Sequence, residues 1–485
     1  MLPLHKAAFA LGVGAALAGP TAWAAPDTAR NVLIRNGYVM TMDGALGDLP
    51  RADVRIRDGR IADVGPALTA DDGSEIIDAA GQVVMPGFVD THSHLWITAL
   101  RGQYRNTPET AFFSTTNRLA PSFTPDDTYV GILLGTVEGA YGGITTMTDF
   151  FDNVQTREHM TAALAALRDA PLRSRLLYGA QSKTTAKQTD LPHLQALAED
   201  WARHSADGRI TLGLAWRLPP KLDDAAVWPA KLEELETARR LKLPVAVHVS
   251  GNAEAMFDAL IARRLLGPDM QVVHATDARP DQIAALNQAG ASVALTPLTE
   301  QRVGYGLTLL STYADVQRLG LGIDGNALAG SADMFATMRL AALTQAGAAR
   351  KETSVSPRDL LALATIRGAT ALGMQDRIGS LTPGKRADVQ IIDMNALNIG
   401  PYAGGDPSAW LVYSATPANV RTVIADGRVV KRDGAMVGVD VPALMQRART
   451  SLTGIIERAD AARGAPVNAK LVGPGNCGRA PSWGH

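Results

Sequence analysis

Between residues 81 and 379, short apolar runs alternate with longer stretches of helical period. The strand-like runs cover residues 83–89, 144–149, 175–180, 210–215, 245–248, 271–274, 291–296 and 319–324. The intervening stretches read as helices; residues 160–169 are one example, and residues 228–241, rich in Ala, Leu, Glu and Lys, are another. Short apolar strands that alternate with helices in this way predict a parallel α/β architecture, and eight of them predict a (β/α)8 TIM-like barrel. The runner-up is a doubly wound open sheet, but no G-x-G-x-x-G follows the first strand.

The flanks are patterned differently. Residues 31–37 form a strand expected to close in an Asn36-Gly37 turn, and residues 53–61 alternate apolar and charged positions about Asp58-Gly59, a hairpin signature. Residues 387–393 form a further strand, and residues 420–430 a second hairpin through Asp426-Gly427. Neither flank has enough strands to bury a face alone, so the two are expected to meet in one small β-sandwich. The expected organisation is a signal peptide (1–24), a composite sandwich (25–80 with 380–440), the barrel (81–379), and a C-terminal helix over 441–461 with a tail to 485.

Composition sharpens this picture. Lys plus Arg (47) nearly balances Asp plus Glu (48), so charge gives no argument for nucleic acid or an anionic membrane as partner. The single cysteine, Cys477, allows no intrachain disulfide and no thiolate metal site; any metal must take nitrogen and oxygen ligands. Lys6, the apolar run 7–19 and the small-x-small Ala22-Trp23-Ala24 read as an export leader cleaved before Ala25. No twin arginine is present. The expectation is an exported, periplasmic protein with no membrane segment after cleavage, acting on a small molecule, with homo-oligomerisation left open.

A barrel places functional side chains at the C-terminal ends of its strands. His92 and His94 end strand 1, His248 ends strand 5, His274 ends strand 6 and Asp324 ends strand 8. The remaining histidines, His5, His159, His193, His204 and His485, fall elsewhere and read as surface residues. Three imidazoles and a carboxylate suit one divalent ion, zinc first and ferrous iron second, with room for an activated water. His92, His94, His248 and Asp324 are the expected ligands. His274 is either a further ligand or a group behind them that orients water and substrate, and Asp324 also serves as proton acceptor.

These residues, with the run Pro86-Gly87-Phe88-Val89-Asp90-Thr91-His92-Ser93-His94, Gly143-Ile144-Thr145-Thr146 and the run from Ile378 through Gly384-Lys385 to Asp388, resemble the amidohydrolase superfamily. The resemblance is to its branch of cytosine and guanine deaminases, imidazolonepropionases and triazine chlorohydrolases. It implies the barrel with a flanking β-sandwich and metal-activated water. Binuclear members carry a lysine at the end of strand 4; here Trp216-Arg217 stand there and Lys183 follows strand 3, which implies one metal. The branch's deaminases carry a glutamate three residues after the strand 5 histidine, where this chain has Gly251. Glu254 and Glu300 are the substitute candidates.

The expected activity is hydrolysis of a non-peptide, amide-like carbon–nitrogen bond, in which His274 and Asp324 can protonate the leaving amine. The alternative is a deaminase or dechlorinase of a nitrogen heterocycle, and a third reading is a binding protein without catalysis. Trp96, Arg217 and Glu300 are the candidate substrate contacts; Arg101, Asp149, Asp152, Trp216 and the loop Gly304-Tyr305-Gly306 lie near the same mouth.

Overall fold

A computed structural model describes residues 31–170, 172–180 and 188–463. The leader, Lys183, Cys477 and the C-terminal tail lie outside the described residues. The central element is an eight-stranded sheet of parallel neighbours. Its strands are β1 (Phe88–Ser93), β2 (Ile144–Val154), β3 (Arg173–Ala180), β4 (Ile210–Trp216), β5 (Val245–Val249), β6 (Met270–His274), β7 (Ser292–Leu295) and β8 (Leu319–Leu321). The last strand returns to the first: Ser93 bridges Asp324 in parallel, the Asp324 N–H donates to His92 O at 2.7 Å, and Thr91 Oγ1 donates to Leu321 O at 2.9 Å. The sheet is thus a closed (β/α)8 barrel.

Its interior is packed. Phe150, Leu177, Ala215, Ala246 and Val273, one from each of five successive strands, form a separate apolar layer inside the barrel. Below it, Val89 meets Ala369, Leu372, Met374 and Ile378, and helix Ile366–Ala371 plugs the N-terminal end.

The flanking segments form one nine-stranded sheet with its own apolar core. Gln82–Pro86, from the N-terminal half, pairs antiparallel with Val389–Asp393 and in parallel with Val32–Met40, so the two ends of the chain are stitched by a shared strand. Both predicted hairpin turns are present. Asp58 and Gly59 have φ of 50° and 71°, and Asp426 and Gly427 have 53° and 78°, the left-handed pair that a two-residue hairpin needs.

Two expectations are corrected. The run 83–89 is not one barrel strand but the ends of two strands in two sheets, broken at Gly87. A Cβ there would lie 2.1 Å from Thr145 Cγ2, so only glycine lets the chain cross from sheet to barrel. Asn36-Gly37 is also not a turn. Val32–Met40 runs through it with register shifts on both sides of Gly37 and Asn36 at φ 62°, and Gly37 is needed there because a Cβ would meet Val84 Cγ2 at 2.6 Å.

The C-terminal helix Val441–Ala461 lies on Pro125–Tyr141, where Ser451 Oγ donates to Asp127 Oδ1 at 2.6 Å and Arg447 pairs with Asp126. No helix among the described residues is long and apolar enough to cross a membrane.

Candidate metal centre

The pleat would send His92 and His94 the same way only if the strand stayed regular. β1 instead ends at Ser93, and His94 enters the buried 3-10 turn Leu95–Leu100. Asp90, two residues before His92, fixes this bend. Its carboxylate accepts from Ser93 Oγ, from the His92 N–H at 3.2 Å and, across the barrel seam, from the Ile323 N–H at 3.0 Å. Burial pushes Asp90 up to about 7.

Among the described residues, His92, His94 and His248 form the group whose ligand atoms lie within 4.8 Å of one another. The Nε2 atoms of His94 and His248 are 3.2 Å apart. Neither ring nitrogen of the buried His92 has a hydrogen-bond partner, nor does His248 Nδ1. Burial brings His92 down to about 4, and burial followed by the neighbouring imidazoles holds His248 well below its ordinary value. Burial thus keeps His92 and His248 neutral at pH 7. Their lone pairs converge with His94 Nε2 on one buried point, and these donors fit a divalent metal.

Asp324 Oδ1 is 3.4 Å from His94 Nε2 and 3.6 Å from His92 Nε2. Burial alone would raise its pKa, but His92, His94 and His274 outweigh burial and keep the carboxylate ionised, well below the usual range. Asp324 and His274 both adopt left-handed backbone, with φ of 63° and 70°. Non-glycine residues in that region are held by their surroundings and concentrate at functional sites.

His274 is turned differently. Its Nδ1 meets Glu300 Oε1 at 3.1 Å and Thr296 Oγ1 at 3.0 Å, and its ring stands 5.3 Å from that of His248, outside the tight trio. Glu300 is buried behind it, with Oε1 also accepting from the Thr296 N–H at 2.8 Å and Oε2 held by Thr308. Both oxygens are committed to the protein, which places Glu300 behind His274 instead of in the mouth.

The other candidates separate likewise. Trp96 is buried against Phe123 and donates its indole N–H to Asp152 at 2.8 Å. Trp216 is in the core, its indole on Lys231 O. Arg217 remains partly open at the end of β4, over the Phe150 ring and paired with Asp152. Glu254 points into solvent and pairs with Arg279. His159, read as a surface residue, is buried and bonds Phe123 O at 3.1 Å.

Asp152, Asp149 and Phe150 take larger parts than their sequence positions suggest. Asp152 holds His94 Nδ1 at 3.2 Å as well as Trp96 and Arg217. Asp149 accepts the Leu95 N–H at 3.0 Å, and its burial raises it to about 7. Phe150 packs its ring on His92, His94 and His248. All three lie on β2, whose strand runs five residues beyond the expected end at 149.

Comparison with known proteins agrees with this geometry. The model of the amidohydrolase family matches residues 83–430. A 5'-deoxyadenosine deaminase of Methanosarcina acetivorans is 29% identical over 451 residues, spanning 89% of this chain and 100% of that protein. A 5-methylthioadenosine/S-adenosylhomocysteine deaminase of Desulforudis audaxviator is 30% identical, spanning 88% and 99%. Among solved structures, a zinc-bound adenosine deaminase from Xanthomonas campestris superposes with TM-score 0.76 at 23% identity, over 88% of this chain and 99% of that one. A mutant atrazine chlorohydrolase from Arthrobacter aurescens, complexed with zinc and atraton, gives 0.76 at 23%, over 87% and 100%. With a family model spanning most of its length and a histidine trio at the mouth of its barrel, the chain belongs to the amidohydrolase family, metal-dependent hydrolases of non-peptide carbon–nitrogen bonds.

Proposed function

We propose that His92, His94 and His248, with Asp324, hold one zinc ion and that the chain hydrolyses an amide-like carbon–nitrogen bond of a small molecule. The observation that carries this reading is the convergence of three imidazoles beside one ionised carboxylate. A bound zinc ion supplies Lewis acidity and brings the pKa of water toward neutrality. Asp324, kept ionised, is the carboxylate placed to take a proton from a water there. His274, oriented through Nδ1 by Glu300 and Thr296, and Asp324 are the groups available to protonate the departing nitrogen. Arg217, stacked on Phe150, offers a cation to a polar or planar substrate group.

A second reading is deamination of a nitrogen heterocycle. It is favoured by full-length similarity to deaminases named for adenine nucleosides. Product analysis separates the two readings. Purified protein is analysed for zinc and iron, then offered a panel of amides, adenosine, 5'-deoxyadenosine and triazines, with ammonia, chloride and amine products measured. Amine release from amides without ammonia from the heterocycles supports the first reading, and the reverse supports the second. Asp324→Asn is expected to lose at least ~100-fold in turnover; undiminished turnover there, or in metal-stripped protein, sinks the mechanism.

We also infer export to the periplasm from the leader pattern at residues 1–24. Cell fractionation of the full-length chain, with N-terminal sequencing expected to begin at Ala25, tests it.

A further inference from the structure

The opposite end of the barrel holds a second constellation. A cavity of about 120 Å³ opens among the N-terminal ends of β3, β5, β6 and β7, lined by Arg175, Gln271, Ser292, Arg318 and Asp269. Arg175 and Arg318 together hold three successive carbonyls at the end of helix Ile366–Ala371. Arg318 Nε reaches Thr370 O at 3.3 Å and Nη2 reaches Ala371 O at 3.3 Å, and Arg175 Nη2 reaches Leu372 O at 2.8 Å. The remaining partners of Arg318 are also carbonyls, Pro268 O and Gly290 O. No carboxylate pairs with either guanidinium among the described contacts. Asp269, the acidic group in the lining, is committed to Arg239 at 3.0 Å.

Two donors in this lining have no acceptor. Gln271 is 6% exposed and its Nε2 is unpartnered, and Arg175 Nε is buried without a partner. Unmet buried donors are costly, and two like charges facing one small cavity add to the cost. Burial, and then the field of Arg318, push Arg175 down to about 10. Water can fill the volume and accept from the two donors, but it brings no charge. An oxyanion supplies both, and the flat guanidinium and amide donors match its several oxygens.

We propose that this cavity is a binding site for a small oxyanion of the phosphate class, held by Arg175, Arg318 and the Gln271 amide. It lies at the far end of the barrel from His92, His94 and His248, where a ligand acts on stability and not on chemistry. Binding there ties the ends of β3, β6 and β8 to the helix that plugs the barrel.

The test uses the zinc-loaded full chain with inorganic phosphate as probe, against sodium chloride of equal ionic strength. Phosphate is expected to give a saturable rise in wild-type Tm of roughly 2–4 °C beyond the chloride control. Gln271→Leu, which keeps the volume and removes the amide donors, is expected to cut that shift by at least half, and Arg175→Met to abolish it. Both should keep the wild-type response to chloride. No phosphate-specific shift in the wild type means water alone fills the cavity and overturns the proposal. An equal shift in wild type and Gln271→Leu overturns it as well, and that variant leaves both arginines and their helix contacts in place, so a misfolded Arg175→Met does not blur the result.

Discussion

At the scale of single residues, the centre depends on groups set behind the histidines. Asp152 binds His94 Nδ1, Trp96 and Arg217 at once. A carboxylate behind a ligating imidazole fixes its tautomer and raises its basicity. Asp152→Asn is therefore expected to weaken metal binding by ~10–100-fold, read by chelator competition, while the fold persists. The same residue shows where sequence reading stops. His92-Ser93-His94 announces itself by spacing, but the partners of Asp152 lie 56 to 65 positions away, so a helix cap or a substrate contact reads equally well there. Titration gives a second prediction. Burial brings His92 from 6.5 to about 4 in the folded, metal-free protein. Between those values the unfolded chain binds the proton and the folded chain does not, so unfolding gains as pH falls. Stability contributed by neutral His92 is present above pH 6.5 and is lost as pH drops toward 4, by about 3 kcal/mol. His248 loses stability and Asp90 and Asp149 gain it over the same window, so the check is a difference: in denaturant melts of metal-stripped protein at pH 7 and pH 4.5, His92→Asn should lose about 3 kcal/mol less than the wild type between the two pH values.

At the scale of elements, the site is set by how closely strands approach. β8 has only three residues in regular pairing, yet it closes the barrel because Gly322 lets it lie on β1. A Cβ on Gly322 would sit 2.8 Å from His92 O and 2.9 Å from His92 N. Gly322→Ala must push apart the seam that carries both His92 and Asp324. The expected cost is about 1–3 kcal/mol by chemical denaturation, with a fall in metal content that a remote destabilising change of equal size does not produce. Glycine placement of this kind also explains which elements were legible. The run 83–89 is apolar throughout, and an apolar run carries no mark of the sheet it joins; only the approach of Thr145 to Gly87 reveals the break. Asp58-Gly59 and Asp426-Gly427 read correctly because a two-residue hairpin is a local demand. Asn36-Gly37 did not, because Val84, from a distant strand, decides its geometry.

At the scale of the whole molecule, alternating strand and helix patterns were enough to anticipate a barrel inserted into a small β-sandwich made from both ends of the chain, where the ends form one nine-stranded sheet. What they could not display is how the two bodies are locked together. Arg173, at the start of β3, is buried and reaches across to Asp388 Oδ2 at 3.4 Å and Asp426 Oδ1 at 2.5 Å, both in the C-terminal part of the flanking structure. Asp388 also accepts nothing less than the turn itself: its Oδ1 takes the Asp426 N–H at 2.6 Å. One guanidinium thus holds the first barrel half against the last hairpin, over separations of 215 and 253 residues. Removing it strands the buried Asp388, while Asp426 keeps Arg386 at 2.5 Å, and the penalty comes from the unpaired charge of Asp388 more than from the lost bonds. Arg173→Met is therefore expected to cost about 3–5 kcal/mol in urea denaturation. Adding Asp388→Asn removes that stranded charge, so the double variant should recover part of the loss. If the double variant is instead as unstable as the sum of the two single changes, the groups act independently, and Arg173 does not lock the barrel to the flanking sheet through Asp388.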